Sequence, residues 1–78
     1  MSPLKIEILL RIYSHADPFD GYTHEQKHSL AMHEAFKDFR RAGIIMNHIH
    51  IGINWSEHHE RILPAGENLV ERLKGINP

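Results

Sequence analysis

The chain contains no cysteine. Disulfide staples, thiolate catalysis and cysteine-ligated zinc are therefore excluded. No stretch approaches the roughly 18 consecutive apolar residues of a membrane-spanning helix, so no membrane insertion is expected. The opening residues, Met1 to Glu7, lack the basic region, apolar region and cleavage site of a secretory signal, and a cytoplasmic protein is expected. An excess of either charge is also missing: nine Lys and Arg stand against ten Asp and Glu, for a net charge of −1. That balance argues against a strongly basic protein that coats nucleic acid. No nucleophile elbow, phosphate-cradling glycine loop or pair of catalytic carboxylates is present. With 78 residues there is little room for a deep pocket and the shell that would support it, so no enzyme and no cofactor are expected.

What is there reads as one globular domain over 1–78. Apolar residues make up 41% and charged residues 24% of the chain, a balance unlike that of a disordered segment. No linker, repeat or low-complexity tract interrupts it. Histidine is abundant, with eight residues. Protonating all of them would move the net charge from −1 to +7, so any electrostatic function can depend on pH.

The apolar spacing predicts the elements. Ser2 and Pro3 suit the start of a helix, and Leu4, Ile8, Leu9, Ile12 and Tyr13 recur at helical spacing over about 3–14. Asp17-Pro18-Phe19-Asp20-Gly21 is a loop, with Phe19 as its anchor in the core. Thr23 and Gln26 form a capping box for a long helix to about Ala42. Its inner stripe is Met32, Ala35, Phe36 and Phe39, and Gly43 ends it. The period then changes to two: Ile45, Ile49, Ile51, Ile53 and Trp55 fall on one face, His48, His50 and Asn54 on the other. Trp55 is expected to be a core residue. Ser56 to His59 reads as a polar turn and Glu60 to Leu63 as a short return strand. Pro64 opens a last helix with Leu69, Val70 and Leu73 inward and Gly75 at its end. The fold class is therefore α+β.

Two stretches carry a resemblance to a known family. Phe39-Arg40-Arg41-Ala42-Gly43-Ile44-Ile45 resembles the junction of winged helix-turn-helix domains that joins the recognition helix to the first wing strand. Arg61-Ile62-Leu63-Pro64-Ala65-Gly66-Glu67-Asn68-Leu69-Val70 resembles their second wing strand running into the closing helix, with Pro64 where the family often has Thr. Ser29 to Phe36 is similar to the body of a recognition helix. The opening Pro3 to Leu10, with Asp17-Pro18-Phe19, resembles small winged-helix proteins of phages and prophages. One departure stands out: the short helix that should precede the recognition helix is compressed or missing between Ser14 and Thr23.

The resemblance implies a winged helix made of a helix, a long recognition-type helix, a hairpin wing and a C-terminal helix. It implies double-stranded DNA as partner, transcriptional control as role, and a homodimer reading two half-sites. Gln26, Ser29, His33, Lys37, Arg40 and Arg41 share the outer arc of the long helix. Ser29, His33 and Lys37 are the candidates for base edges, and Arg40 and Arg41 for phosphates. His58 and His59 are expected at the wing tip. The alternative is a protein-binding modulator or inhibitor of a host complex, of anti-defence or anti-CRISPR type, for which the outward Leu30 is the candidate contact.

The histidines offer two weaker metal patterns. His24-Glu25-Gln26-Lys27-His28 matches H-E-x-x-H, in which two histidines one turn apart hold zinc and the Glu activates water. Here it opens a helix, carries Lys27 beside the would-be metal and has no marked third ligand, although His48 or Glu57 could be proposed, so a surface pair, or His28 tucked beside the apolar stripe, is expected. His48 and His50 alternate on one strand and could join His58 or His59 across a hairpin. A polar wing face is the simpler reading of that group.

Overall fold

A computed structural model describes residues 1–75 of the chain. Four helical segments and one antiparallel hairpin follow in the order α1 (Pro3–Tyr13), α2 (His24–Lys27), α3 (Leu30–Arg41), β1 (Ile45–Gly52), β2 (Trp55–Ile62) and α4 (Pro64–Lys74). The α+β class is thus observed. Among the described residues no helix is long and apolar enough to cross a membrane.

Helix α1 starts where Ser2 Oγ accepts from the Lys5 amide. At its other end His15 takes a left-handed φ of 59°. The His15 and Ala16 amides donate back to the Ile12 and Arg11 carbonyls, which satisfies groups the helix end would leave open. The loop that follows is held at three points. Phe19 packs on Phe36 with ring centroids 5.2 Å apart. Arg11, itself paired with Glu7 at 2.6 Å, donates to the Pro18 and Asp20 carbonyls. The Thr23–Gln26 capping box is formed in both directions.

The expected long helix is in fact two. Helix α2 stops after one turn at Lys27, and Ser29 caps α3 by accepting from the Met32 amide at 3.2 Å. Between Ser14 and Thr23 the chain forms turns only, and a one-turn helix lies just after Thr23. Ser29 stands immediately before the apolar stripe, where its hydroxyl outcompetes helix continuation. Helix α3 closes at Gly43, whose φ is 71°. The Gly43 and Ile44 amides donate to the Arg40 and Phe39 carbonyls, the Schellman arrangement that turns the chain into β1.

The core consists of Ile8, Leu9, Ile12, Met32, Ala35, Phe36, Phe39, Ile45 and Val70. Three helices and the base of the hairpin thus share one apolar cluster. Only the base takes part. Ile45 is buried opposite Ile62, whereas Ile49, Ile51 and Ile53 are 49%, 80% and 88% exposed. Leu73, expected inward, is 48% exposed as well.

The hairpin also corrects the expected turn. Gly52 pairs with Trp55 around Ile53 and Asn54, and Asn54 supplies the positive φ of 71° that Asn tolerates better than most residues. The return strand therefore begins at Trp55, not at Glu60. With two residues in the turn, Trp55 shares a face with Gly52, His50 and His48 rather than with the isoleucines. It is 55% exposed at the tip and is not a core residue.

Gly66 closes the structure. It is buried in α4 against the start of β1 and the end of β2. A β-carbon there would collide with the Ile44 carbonyl oxygen and lie 2.7 Å from Ile62 Cγ1. Gly66→Ala is expected to destabilise the fold by about 1–3 kcal/mol, as overpacking does, measured by urea denaturation. Ala65→Gly, at an exposed helix position, controls for helix propensity.

Candidate nucleic-acid or partner interface

Helix α3 buries Met32, Ala35, Phe36 and Phe39, so the opposite side must face outward. Leu30, Lys37 and Arg41 follow one another at seven- and four-residue steps along that side. Glu34 lies beside them and offsets one cation. Leu30 is 74% exposed. Lys37 is half-buried along its stem and Arg41 is exposed. His33 stands exposed on the flank, where Ser29, Leu30, His33 and Arg40 line one groove of about 500 Å³. Lys27, His28 and the apolar Phe19, Met32 and Phe36 complete its wall. Sequence reasoning placed His28 at most beside the apolar stripe and did not assign Lys27 to this surface. The break after Lys27 puts them there, and its signal was Ser29 standing just before the apolar stripe.

Ion pairs divide the cations. Lys5 bonds Asp38 at 2.7 Å and ties α1 to α3. That bond, before the weaker influence of Arg41 and Lys37, holds the Asp38 carboxyl below its ordinary range. Arg40 is engaged by Glu60 of β2 and lies over the Phe36 ring, 5.7 Å from its centroid. It is a brace between α3 and the hairpin, not the free phosphate contact expected of it. Lys27, Lys37 and Arg41 enter no ion pair among the described residues.

Several expected site residues have other duties. Gln26 belongs to α2, and its Oε1 accepts from the Thr23 amide. Ser29 is the cap of α3 and not a residue of its outer face. His58 and His59 lie in mid-strand, opposite Ile49 and His48. The tip is Gly52 to Trp55, because the two-residue turn falls earlier than the polar run suggested.

The histidines separate into two groups. His24 and His28 flank α2 with ring centroids 4.5 Å apart. On the hairpin, His48 and His50 are 4.4 Å apart and His50 and His59 5.7 Å apart. His58 points to the opposite face, that of Ile49. Among the described residues no three His, Asp or Glu side chains converge as metal ligands do. The hairpin histidines and Arg61 instead border a wide hollow of about 780 Å³ beside the α1–α2 loop. Partial burial, then the neighbouring His50, Arg61 and His59, push the His48 pKa below its ordinary value. No protein-family model, curated protein or solved structure matches this chain.

Two outcomes follow from this geometry. Arg40→Ala strips the partner from Glu60, whose side chain is only 12% exposed. It is expected to cost about 1 kcal/mol or more, with part recovered in an Arg40→Ala, Glu60→Gln double variant, read by thermal denaturation. His48 has the opposite sense from a stabilised cation. Its depressed pKa means the unfolded chain takes up the proton first as pH falls. The contribution is thus full above the ordinary histidine value and is lost as the pH drops through it toward the folded value. His48→Gln is expected to flatten the loss of stability between about pH 7.5 and 5.5, followed by denaturation at each pH.

Proposed function

We propose that α2, the turn at Ser29 and α3 form the helix-turn-helix of a winged-helix domain that binds double-stranded DNA in transcriptional control. The observation that carries this reading is the outer side of α3. It presents Lys37 and Arg41, which enter no ion pair among the described residues, with His33 on its flank and the hairpin rising from its C-terminal end. A helix of this width fits a major groove. In this reading α3 enters the groove, His33 and Lys37 reach for base edges, and Arg41 and Lys27 meet phosphates. The hairpin stands where a wing does, next to the recognition helix. The net charge of −1 is an average over the chain; on α3 itself Asp38, next to Lys37, is engaged by Lys5, and Arg11 and Arg40 engage Glu7 and Glu60.

The test is salt-dependent binding to duplex DNA, followed by fluorescence anisotropy. Lys37→Ala, Arg41→Ala is expected to weaken binding about tenfold or more and to lower the salt slope by about two. Its thermal stability should stay close to that of the parent. Arg40 is left intact because its loss would perturb the fold. No salt-sensitive binding at any pH from about 5.5 to 8, a range spanning histidine titration, would sink the reading.

One observation favours a protein partner instead. Leu30 is 74% exposed at the mouth of a groove whose wall includes Phe19, Met32 and Phe36, the arrangement of an apolar anchor beside a pocket. A stoichiometric protein recovered after nuclease treatment, and lost with Leu30→Asp, would favour this second reading. Recovery of DNA alone would favour the first.

A further inference from the structure

The hairpin leaves one edge of its sheet in an unusual state. Between Arg41 and Glu57 the chain has no Asp, Glu, Lys or Arg. All of β1 falls inside that stretch, while β2 carries Glu57, Glu60 and Arg61. The sheet has only two strands, so each has one unpaired edge. Gly52 and Trp55, which flank the two-residue turn, bond each other, and bonded pairs then alternate along the ladder. The amides and carbonyls of Asn47, Ile49 and Ile51 therefore point away from β2. Their side chains share one face and are exposed, Ile51 at 80%, with Ile53 beyond them at 88%.

The usual protections of an edge strand are missing from β1: it has no lysine, no proline and no inward charge. An isolated two-stranded hairpin is also only marginally stable in water. Here the half beyond Ile45 and Ile62 extends outside the core.

We infer that the free edge of β1 pairs antiparallel with β1 of a second copy of this chain, joining two hairpins into one four-stranded sheet. The charge pattern selects the occupant. A strand without Asp, Glu, Lys or Arg offers no fixed charge for an oppositely charged partner to recognise. It can meet its own copy without opposing fixed like charges. Antiparallel pairing about a two-fold axis is self-complementary. It satisfies the outward amides and carbonyls of Asn47, Ile49 and Ile51 and brings the isoleucines of both copies onto one continuous face. The β2 edges, with Ser56 and His58, remain outside. This inference goes beyond the reading of α3 as the contact helix and does not depend on it.

Analytical ultracentrifugation of the full chain tests it. The expected species has twice the 9.1 kDa chain mass. Ile51→Lys, at a position too exposed to endanger folding, is expected to raise the dimer dissociation constant at least about tenfold. Ser56→Lys, on the outer edge of β2, is expected to leave it unchanged. Because the chain has no cysteine, single cysteines report the register directly. Ile49→Cys, His50→Cys or Ile51→Cys should give a disulfide-linked dimer at one or more of these positions under mild oxidation. Ser56→Cys and His58→Cys should not. The inference is overturned by a wild type that stays monomeric up to about 0.5 mM, a protein concentration well above ordinary specific affinities. It is equally overturned by cross-linking through β2, or by Ser56→Lys disrupting the dimer as strongly as Ile51→Lys.

Discussion

The packing of α3 on α1 is the contact from which the rest of the structure is built. Phe36, Phe39, Met32 and Ala35 meet Ile8, Leu9 and Ile12 in a single apolar cluster. In a chain this short there is no second core to compensate for its loss. Once that stripe is buried, the rotation of α3 is set, and with it the side that Leu30, Lys37 and Arg41 present. The same cluster takes in Ile45 and Val70, so it also anchors the base of the hairpin and the closing helix. Gly66 allows α4 to approach the Ile44 backbone closely enough to finish that arrangement.

Polar contacts refine this framework. Lys5–Asp38 fixes α1 against one flank of α3, and Arg40–Glu60 fixes β2 against the other. Arg11 joins α1 to its following loop through two carbonyls. Exposed pairs such as Lys5–Asp38 and Glu7–Arg11 contribute little stability individually, whereas Arg40 also covers the nearly buried Glu60 side chain. Their larger effect here is on where charge remains. Each engages a cation, whereas Lys27, Lys37 and Arg41 around α2 and α3, and Arg61, Arg72 and Lys74 on β2 and α4, enter no ion pair among the described residues.

Much of the architecture was legible along the chain. The caps at Ser2 and Thr23, the stop at Gly43, the loop anchor Phe19, and the start and end of α4 all follow from local chemistry that acts within a few residues. The outward position of Leu30 and the inner stripe of α3 follow from helical period. The break at Ser29 is not evident along the chain. Thr23 already supplied a cap, and the polar residues between it and Met32 are compatible with a continuous helix. Locating the hairpin turn required knowing which residue adopts the left-handed conformation. Asn54 does so, and this advances the return strand to Trp55, reverses the face assigned to Trp55 and moves His58 and His59 from the tip to mid-strand.

Burial along the hairpin shows where sequence and tertiary structure divide. The alternation of Ile45, Ile49 and Ile51 by itself determined that they share a face, because strand side chains repeat every two residues. It carried no information about how far the core reaches along that face. Only the tertiary structure decided that Ile45 is covered and Ile51 bare, since the covering atoms belong to helices distant in the chain. The same holds for the cations of α3. Helical period determined that Lys37, Arg40 and Arg41 project from the helix away from its apolar stripe. Folding then brought Glu60, twenty residues farther along, against Arg40, while Lys37 and Arg41 enter no ion pair among the described residues. Local period sets direction, whereas the long-range approach of other elements sets what each side chain meets.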